Sequence, residues 1–163
     1  MKTKHLVLCG LLTALMLVLG YVESLIPIPS AVPGIKLGLA NSVLLYAVYM
    51  LNLPTAWLLM VLKVLLSALL FGGVNTMLFS FAGGVVSMAG MCLLKKGMGV
   101  SLVVVSAVGG MLHNVGQVLM AMLMLKTAGL LGYMALLMGV GLVTGIVTGV
   151  AAQMTMKHLK HLR

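Results

Sequence analysis

The chain has 163 residues, of which 63% are hydrophobic and only 7% are charged, and it carries a formal net charge of +9. Its mean hydropathy is +1.27. About a quarter of the residues of a soluble domain are charged, so the composition excludes a soluble globular protein and indicates an integral membrane protein. A spanning helix needs roughly 20 apolar residues, which leaves room for five or six spans in a single transmembrane domain, residues 1–163.

The first predicted span covers residues 5–22. It follows Lys2-Thr-Lys-His and resembles a signal peptide, but no small-x-small cleavage site follows it, so we expect an uncleaved span. Gly10 and Ala14 are four residues apart and share one helix face. Small residues at this spacing allow close helix approach. The face serves either packing within this chain or docking of a partner subunit.

Residues 23–34 form a predicted outer loop. They include Pro27, Pro29, Pro33 and the only acidic residue, Glu23. Proline cannot donate to a helical hydrogen-bond ladder and restricts the residue before it, so this segment is predicted to be irregular. Within a membrane, irregular backbone is tolerated at the interface or where it lines a protein cavity. We therefore expect this loop to cover a polar pocket.

Five further spans are predicted at residues 35–51, 55–71, 75–94, 100–125 and 129–156. A single kinked span over residues 37–62 is the alternative, and it would place the two termini on opposite sides. The positive-inside rule favours six spans, because only then do the basic clusters share the cytoplasmic side. Those clusters are Lys2, Lys4, Lys95, Lys96, Lys157, Lys160 and Arg163. The prediction is an all-α bundle of six transmembrane helices in a bacterial plasma membrane, with both termini cytoplasmic.

The last span contains a glycine repeat. Gly141, Gly145 and Gly149 follow one another every four residues, with Thr144 and Thr148 alongside. This small-xxx-small pattern predicts a tight contact with another helix.

Two lysines are predicted to lie in transmembrane spans, where a charge is energetically unfavourable unless it reaches an interface or a partner. Lys63 falls near the middle of the third span, where a charge costs about 2.5–3.5 kcal/mol on insertion scales. It either reaches toward an interface or pairs with Glu23 or an anionic ligand. Lys36 begins the second span on the outer side and is either an interfacial anchor or part of a pocket.

The fifth span carries a cluster of polar side chains. His113 and Gln117 are four residues apart and Asn114 and Gln117 are three apart, so we expect them on one helix face. Hydrogen bonds between membrane helices contribute only about 0.6 kcal/mol each, and a polar ligand pocket explains the clustering better. Asn41 and Asn75 are expected to join this pocket.

The sequence lacks the residues that several kinds of enzyme chemistry require. The sequence has no Gly-x-x-x-x-Gly-Lys-Ser/Thr loop, and a single carboxylate cannot build the carboxylate-rich magnesium site of diphosphate chemistry. No basic face outside the membrane indicates nucleic-acid binding. We therefore expect no catalytic residues, no metal site and no cofactor, and we predict that the chain is not an enzyme. Energy for any transport would come from a partner.

Three segments resemble a known family: Pro33-Gly-Ile-Lys-Leu-Gly-Leu-Ala-Asn41, Glu23-Ser-Leu-Ile-Pro27 and His113-Asn-Val-Gly-Gln117. They are similar to a small membrane family known both as heptaprenyl diphosphate synthase component I and as the Gx transporter family. That family looks like the S components of ECF-type vitamin transporters, which bind a small molecule on the outer side and borrow a coupling subunit with two ATPases. The resemblance implies that Gly10 and Ala14 dock the coupling subunit.

Two functions follow from these observations, together with a weaker third, a scaffold without ligand. The first is an S-component-like subunit that captures a small anionic solute; its predicted ligand-binding residues are Glu23, Lys36, Asn41, Lys63, Asn75, His113, Asn114 and Gln117. The alternative is a non-catalytic membrane accessory component of a heptaprenyl diphosphate synthase.

Overall fold

A computed structural model describes residues 2–26, 39–97 and 99–161. Lys36 and the proline-rich part of the predicted loop therefore lie outside the described residues. Within the described ranges the chain is all-helical and contains no strand. Its elements are α1 (Lys2–Leu25), α2 (Asn41–Met50), α3 (Leu53–Ser67), a π-helical segment (Ala68–Gly72), α4 (Gly73–Gly97), α5 (Leu102–Leu125) and α6 (Leu131–His161).

By length and composition, four helical stretches of the described residues can cross a membrane: Thr3–Leu25, Leu53–Gly97, Leu102–Leu125 and Leu131–His158. Helix α2 has 10 residues. At 1.5 Å per residue it is about 15 Å long, half of a hydrocarbon core of roughly 30 Å. Six spans and cytoplasmic termini therefore remain predictions.

The break between α2 and α3 follows from local sequence. Leu51 is extended (φ −111°, ψ −177°) and ends α2. The Oδ1 atom of Asn52 then accepts a hydrogen bond from the backbone N–H of Thr55 at 2.9 Å, which caps α3. Pro54 occupies the first turn of α3, where its missing N–H costs nothing.

Helices α2 and α3 run antiparallel across this break. The Nζ atom of Lys63 lies 3.0 Å from the Oδ1 atom of Asn41. In one continuous helix the 22 intervening steps would separate these residues by about 33 Å. The alternative of a single span over residues 37–62 is therefore wrong.

A second reversal lies within the helical stretch Leu53–Gly97. The π-helical segment is followed by Gly73, whose φ of +72° favours glycine because glycine has no Cβ. Beyond this point α4 folds back on α3, since a Cβ placed on Gly84 would lie 2.9 Å from the Sδ atom of Met60. The stretch is thus a helical hairpin, whose turn lies between the predicted spans 55–71 and 75–94.

Helix α5 is packed tightly between α4 and α6. A Cβ on Gly145 of α6 would lie 2.6 Å from the carbonyl oxygen of Ser106, and one on Gly116 of α5 would lie 2.7 Å from that of Ala82 in α4. Such backbone approach is possible only for glycine. The α6 glycines that meet α5 are Gly141, Gly145 and Gly149, so the tight contact predicted for this repeat is confirmed.

Helix ends carrying basic residues gather at one end of the bundle, which we call the basic end. The Nζ atom of Lys95 donates to the carbonyl oxygen of Val48 at 2.6 Å, joining the last turns of α4 and α2. His5 and Asn52 line one groove between the first turns of α1 and α3. Glu23 lies in the last turn of α1, at the opposite end.

Candidate functional site

Polar side chains from α2, α3 and α5 lie at one depth in the bundle. On α4, Gly84 meets Met60, one turn before Lys63, while a Cβ on Gly83 would lie 2.9 Å from the Cγ atom of Gln117. Helices α2, α3, α4 and α5 contact one another in a ring. We call the polar residues at this depth the polar layer: Asn41, Lys63, His113, Asn114 and Gln117.

Lys63 and Asn41 form a direct pair. Lys63 is half-buried, and its ammonium group donates to the Asn41 Oδ1 atom. The first turn of α2 thus presents a neutral oxygen to a cation inside the bundle. The Nδ2 atom of Asn41 is buried and has no hydrogen-bond partner among the described residues. Lys63 and Asn41 are both predicted site residues, but the sequence did not indicate that they bond to each other.

The three polar residues of α5 are predicted to share one helix face, but they lie in two different interfaces. His113 and Gln117 lie against Gly83 of α4. Asn114 instead donates from its Nδ2 atom to the carbonyl oxygen of Leu137 in α6, at 2.6 Å. The reason is geometric, because adjacent residues are about 100° apart around a helix and α5 has a partner helix on two sides.

Unsatisfied hydrogen-bonding atoms are concentrated in this layer. Gln117 is 0% exposed, and neither its Nε2 nor its Oε1 atom has a hydrogen-bond partner among the described residues. The same holds for the Oδ1 atom of Asn114. An unmade buried hydrogen bond costs about 1–3 kcal/mol, and native proteins pair nearly all such groups. The layer therefore offers donors and acceptors that a bound molecule or water can use.

The other predicted pocket residues are placed differently. Glu23 is buried, at 3% exposure. Asn75 is exposed in the first turn of α4, about 12 Å along the helix from Gly83. The structure therefore does not bring Asn75 into the polar layer. Lys36 lies outside the described residues.

Gly10 and Ala14 are exposed on α1. They line a largely apolar groove of about 930 Å³ between α1 and α3, and a Cβ on Gly10 would meet nothing within 4 Å. Packing within this chain therefore does not explain these small residues in the described part of the structure. Docking of a partner here remains a prediction.

Sequence reasoning missed the small-residue face of α4. Ser80, Gly83, Gly84 and Ser87 recur at helical spacing and are buried, and the Oγ atom of Ser87 donates to the carbonyl oxygen of Gly109 at 2.8 Å. The spacing is the signal that could have revealed this interface with α5. Among the described residues, no group of three or more His, Cys, Asp or Glu side chains could hold a metal ion.

Long apolar helices enclosing a thin layer of buried polar side chains define a helical protein of the membrane type. Over residues 12–155 the sequence matches the family model described as heptaprenyl diphosphate synthase component I. The match spans most of the chain, so this protein belongs to that family. Searches of curated proteins and of solved structures found no match.

Proposed function

We propose that this chain is the non-catalytic membrane component of a prenyl diphosphate synthase whose chemistry is carried out by a separate chain. The observation that carries this proposal is the family match over residues 12–155. Diphosphate chemistry uses magnesium ions held by several carboxylates, whereas this sequence has one acidic residue, the buried Glu23. The catalytic carboxylates then belong to the partner.

The basic end is the surface that fits such a partner. Lys4, Lys96 and Lys157 are exposed on α1, α4 and α6. Ala151 and Thr155 of α6 line a groove with Leu8 of α1, so the last turns of α6 lie near the first turns of α1. A carboxylate-rich synthase chain is complementary in charge to this end.

Charge reversal tests this proposal. Lys96→Glu with Lys157→Glu is expected to weaken co-purification of a carboxylate-rich synthase chain by about tenfold or more at low salt. Lys95 is left unchanged because it bonds to Val48. The matched control is Lys126→Glu, an exposed lysine at the far end of α5. Equal partner recovery from the double variant and the control would contradict the proposal.

The unsatisfied atoms of the polar layer favour a second candidate, an S-component-like subunit that captures a small anionic solute. Lys63 supplies the positive charge, and Asn41, Asn114 and Gln117 supply hydrogen-bonding groups. Energy would come from a membrane coupling subunit with ATPases, docked at the α1 groove that holds Gly10. The setting would be a bacterial plasma membrane.

Mass spectrometry of the gently purified protein tests the second candidate. The parent is expected to retain a small anionic molecule, and Lys63→Met is expected to lower its occupancy at least tenfold, with Lys126→Met as the matched control. Retention of the same molecule at the same stoichiometry by Lys63→Met would contradict it. Co-purifying proteins separate the two candidates: a carboxylate-rich synthase supports the first, and a coupling subunit with ATPases supports the second.

A further inference from the structure

The Gln117 side chain is buried, and its amide makes no hydrogen bond within the described part of the chain. A primary amide has two N–H donors and an oxygen with two lone pairs, and neither end is hydrogen-bonded among the described residues. On α4 it lies against Gly83, which has no side chain to offer. The α4–α5 interface therefore positions this amide without satisfying it.

Different ligand groups would use this amide differently. A carboxylate or phosphate oxygen only accepts, so it would satisfy Nε2 and leave Oε1 unpaired. An ammonium group only donates, so it would satisfy Oε1 and leave Nε2 unpaired. A cyclic amide or ureido group presents an N–H donor beside a carbonyl acceptor and satisfies both atoms of Gln117 together.

We propose that Gln117 recognises an amide-type edge, an N–H beside a C=O, on the molecule bound in the polar layer. The inference rests on the solute-capture candidate and adds a chemical class to it. Two neighbours extend the same pattern, since the Asn41 Nδ2 atom is a spare donor and the Asn114 Oδ1 atom a spare acceptor. The ligand is then a heteroatom-rich ring that carries its negative charge elsewhere.

Thermal stability of the purified full chain, measured with matched probes, tests this assignment. Uracil and imidazolidinone present the amide edge, and their N,N′-dimethyl derivatives keep the carbonyl groups but lack the N–H donor. At least one N–H probe at millimolar concentration is expected to raise the Tm by about 2 °C or more. Its dimethylated counterpart is expected to leave the Tm unchanged, because a site built to bond an N–H rejects the analogue without it.

Two variants assign the effect to Gln117. Gln117→Met preserves side-chain volume and removes both polar atoms, so it is expected to abolish the probe-induced shift while the protein still folds. Ser87→Ala is the matched control in the same interface, because Ser87 already donates to Gly109. It is expected to retain the shift.

Three results would overturn the assignment: no N–H probe stabilises the parent, the dimethylated probe stabilises it equally, or Gln117→Met keeps the shift. Inorganic diphosphate and acetate are tested separately, as anionic probes that lack the amide edge. If they stabilise the parent but not Lys63→Met while both N–H probes fail, the amide inference falls and solute capture stands. If no probe of any class acts, the amide inference falls, and solute capture is decided by mass spectrometry of the purified protein.

Discussion

The α4–α5 interface contains one buried polar side chain that is hydrogen-bonded and, at another depth, one that is not, among the described residues. Near the basic end, the Ser87 hydroxyl crosses the interface and donates to Gly109. About one turn farther along α4, Gly83 lies against the Gln117 side chain, whose amide has no hydrogen-bond partner among the described residues. Both sites are buried and both depend on close glycine contacts. The Ser87 hydroxyl thus links the two helices, whereas the Gln117 amide forms no such link among the described residues.

The α5–α6 interface repeats this contrast. The hydroxyl oxygens of Ser106 and Thr148 are 3.3 Å apart and share a hydrogen bond. Farther from the basic end, Asn114 uses its Nδ2 atom on Leu137 but leaves its Oδ1 atom unpaired among the described residues. Among the described residues, unpaired atoms thus occur at the same depth on both sides of α5, and the ligand site proposed above lies at that depth.

The largest effect is expected where glycine allows the helices to approach. Gly145→Ala would place a methyl group 2.6 Å from the Ser106 carbonyl oxygen, and overpacking of this kind costs about 1–3 kcal/mol. Gly139→Ala, in the same helix, meets nothing within 4 Å and should gain up to about 1 kcal/mol of helix propensity. Thermal unfolding in detergent measures both, and equal stability of the two variants would show that this contact does not hold the bundle.

The next prediction is that substitution of Gln117 and substitution of Ser87 change the free energy of unfolding in opposite directions. Gln117→Met is expected to stabilise the ligand-free protein by about 1–3 kcal/mol, because it removes buried unsatisfied atoms. Ser87→Ala is expected to destabilise it by about 0.5–1.5 kcal/mol, because it removes a hydrogen bond. The unfolding free energies of ligand-free samples decide this. Destabilisation by both variants would remove the distinction.

The smallest effect concerns the hydrogen bond between Ser106 and Thr148. A double-mutant cycle of Ser106→Ala and Thr148→Val is expected to give a coupling energy of about 0.6 kcal/mol, typical of hydrogen bonds between membrane helices. Solute retention should stay at the parent level throughout the cycle, as measured by mass spectrometry. A loss of retention would extend the proposed ligand site toward the basic end.

Sequence alone predicted the features that depend on local pattern. Apolar length predicted the long helices, and the α6 glycine repeat predicted its contact. Side-chain partners were less predictable, because they depend on how each helix is rotated against its neighbours. A step of one residue turns the helix by about 100°, which is why Asn114 faces α6 while His113 faces α4. The Lys63–Asn41 bond likewise required the packing of α2 on α3.

The bond from Asn114 to Leu137 also constrains the order of assembly during biosynthesis. Ribosomes make α5 before α6, so the amide of Asn114 lacks this backbone acceptor until α6 has been translated and inserted. Helices α4 and α5 can pair earlier through Gly83 and Gly116. The contact between Gly83 and Gln117 can therefore form before α6 has been made, whereas the bond of Asn114 requires α6.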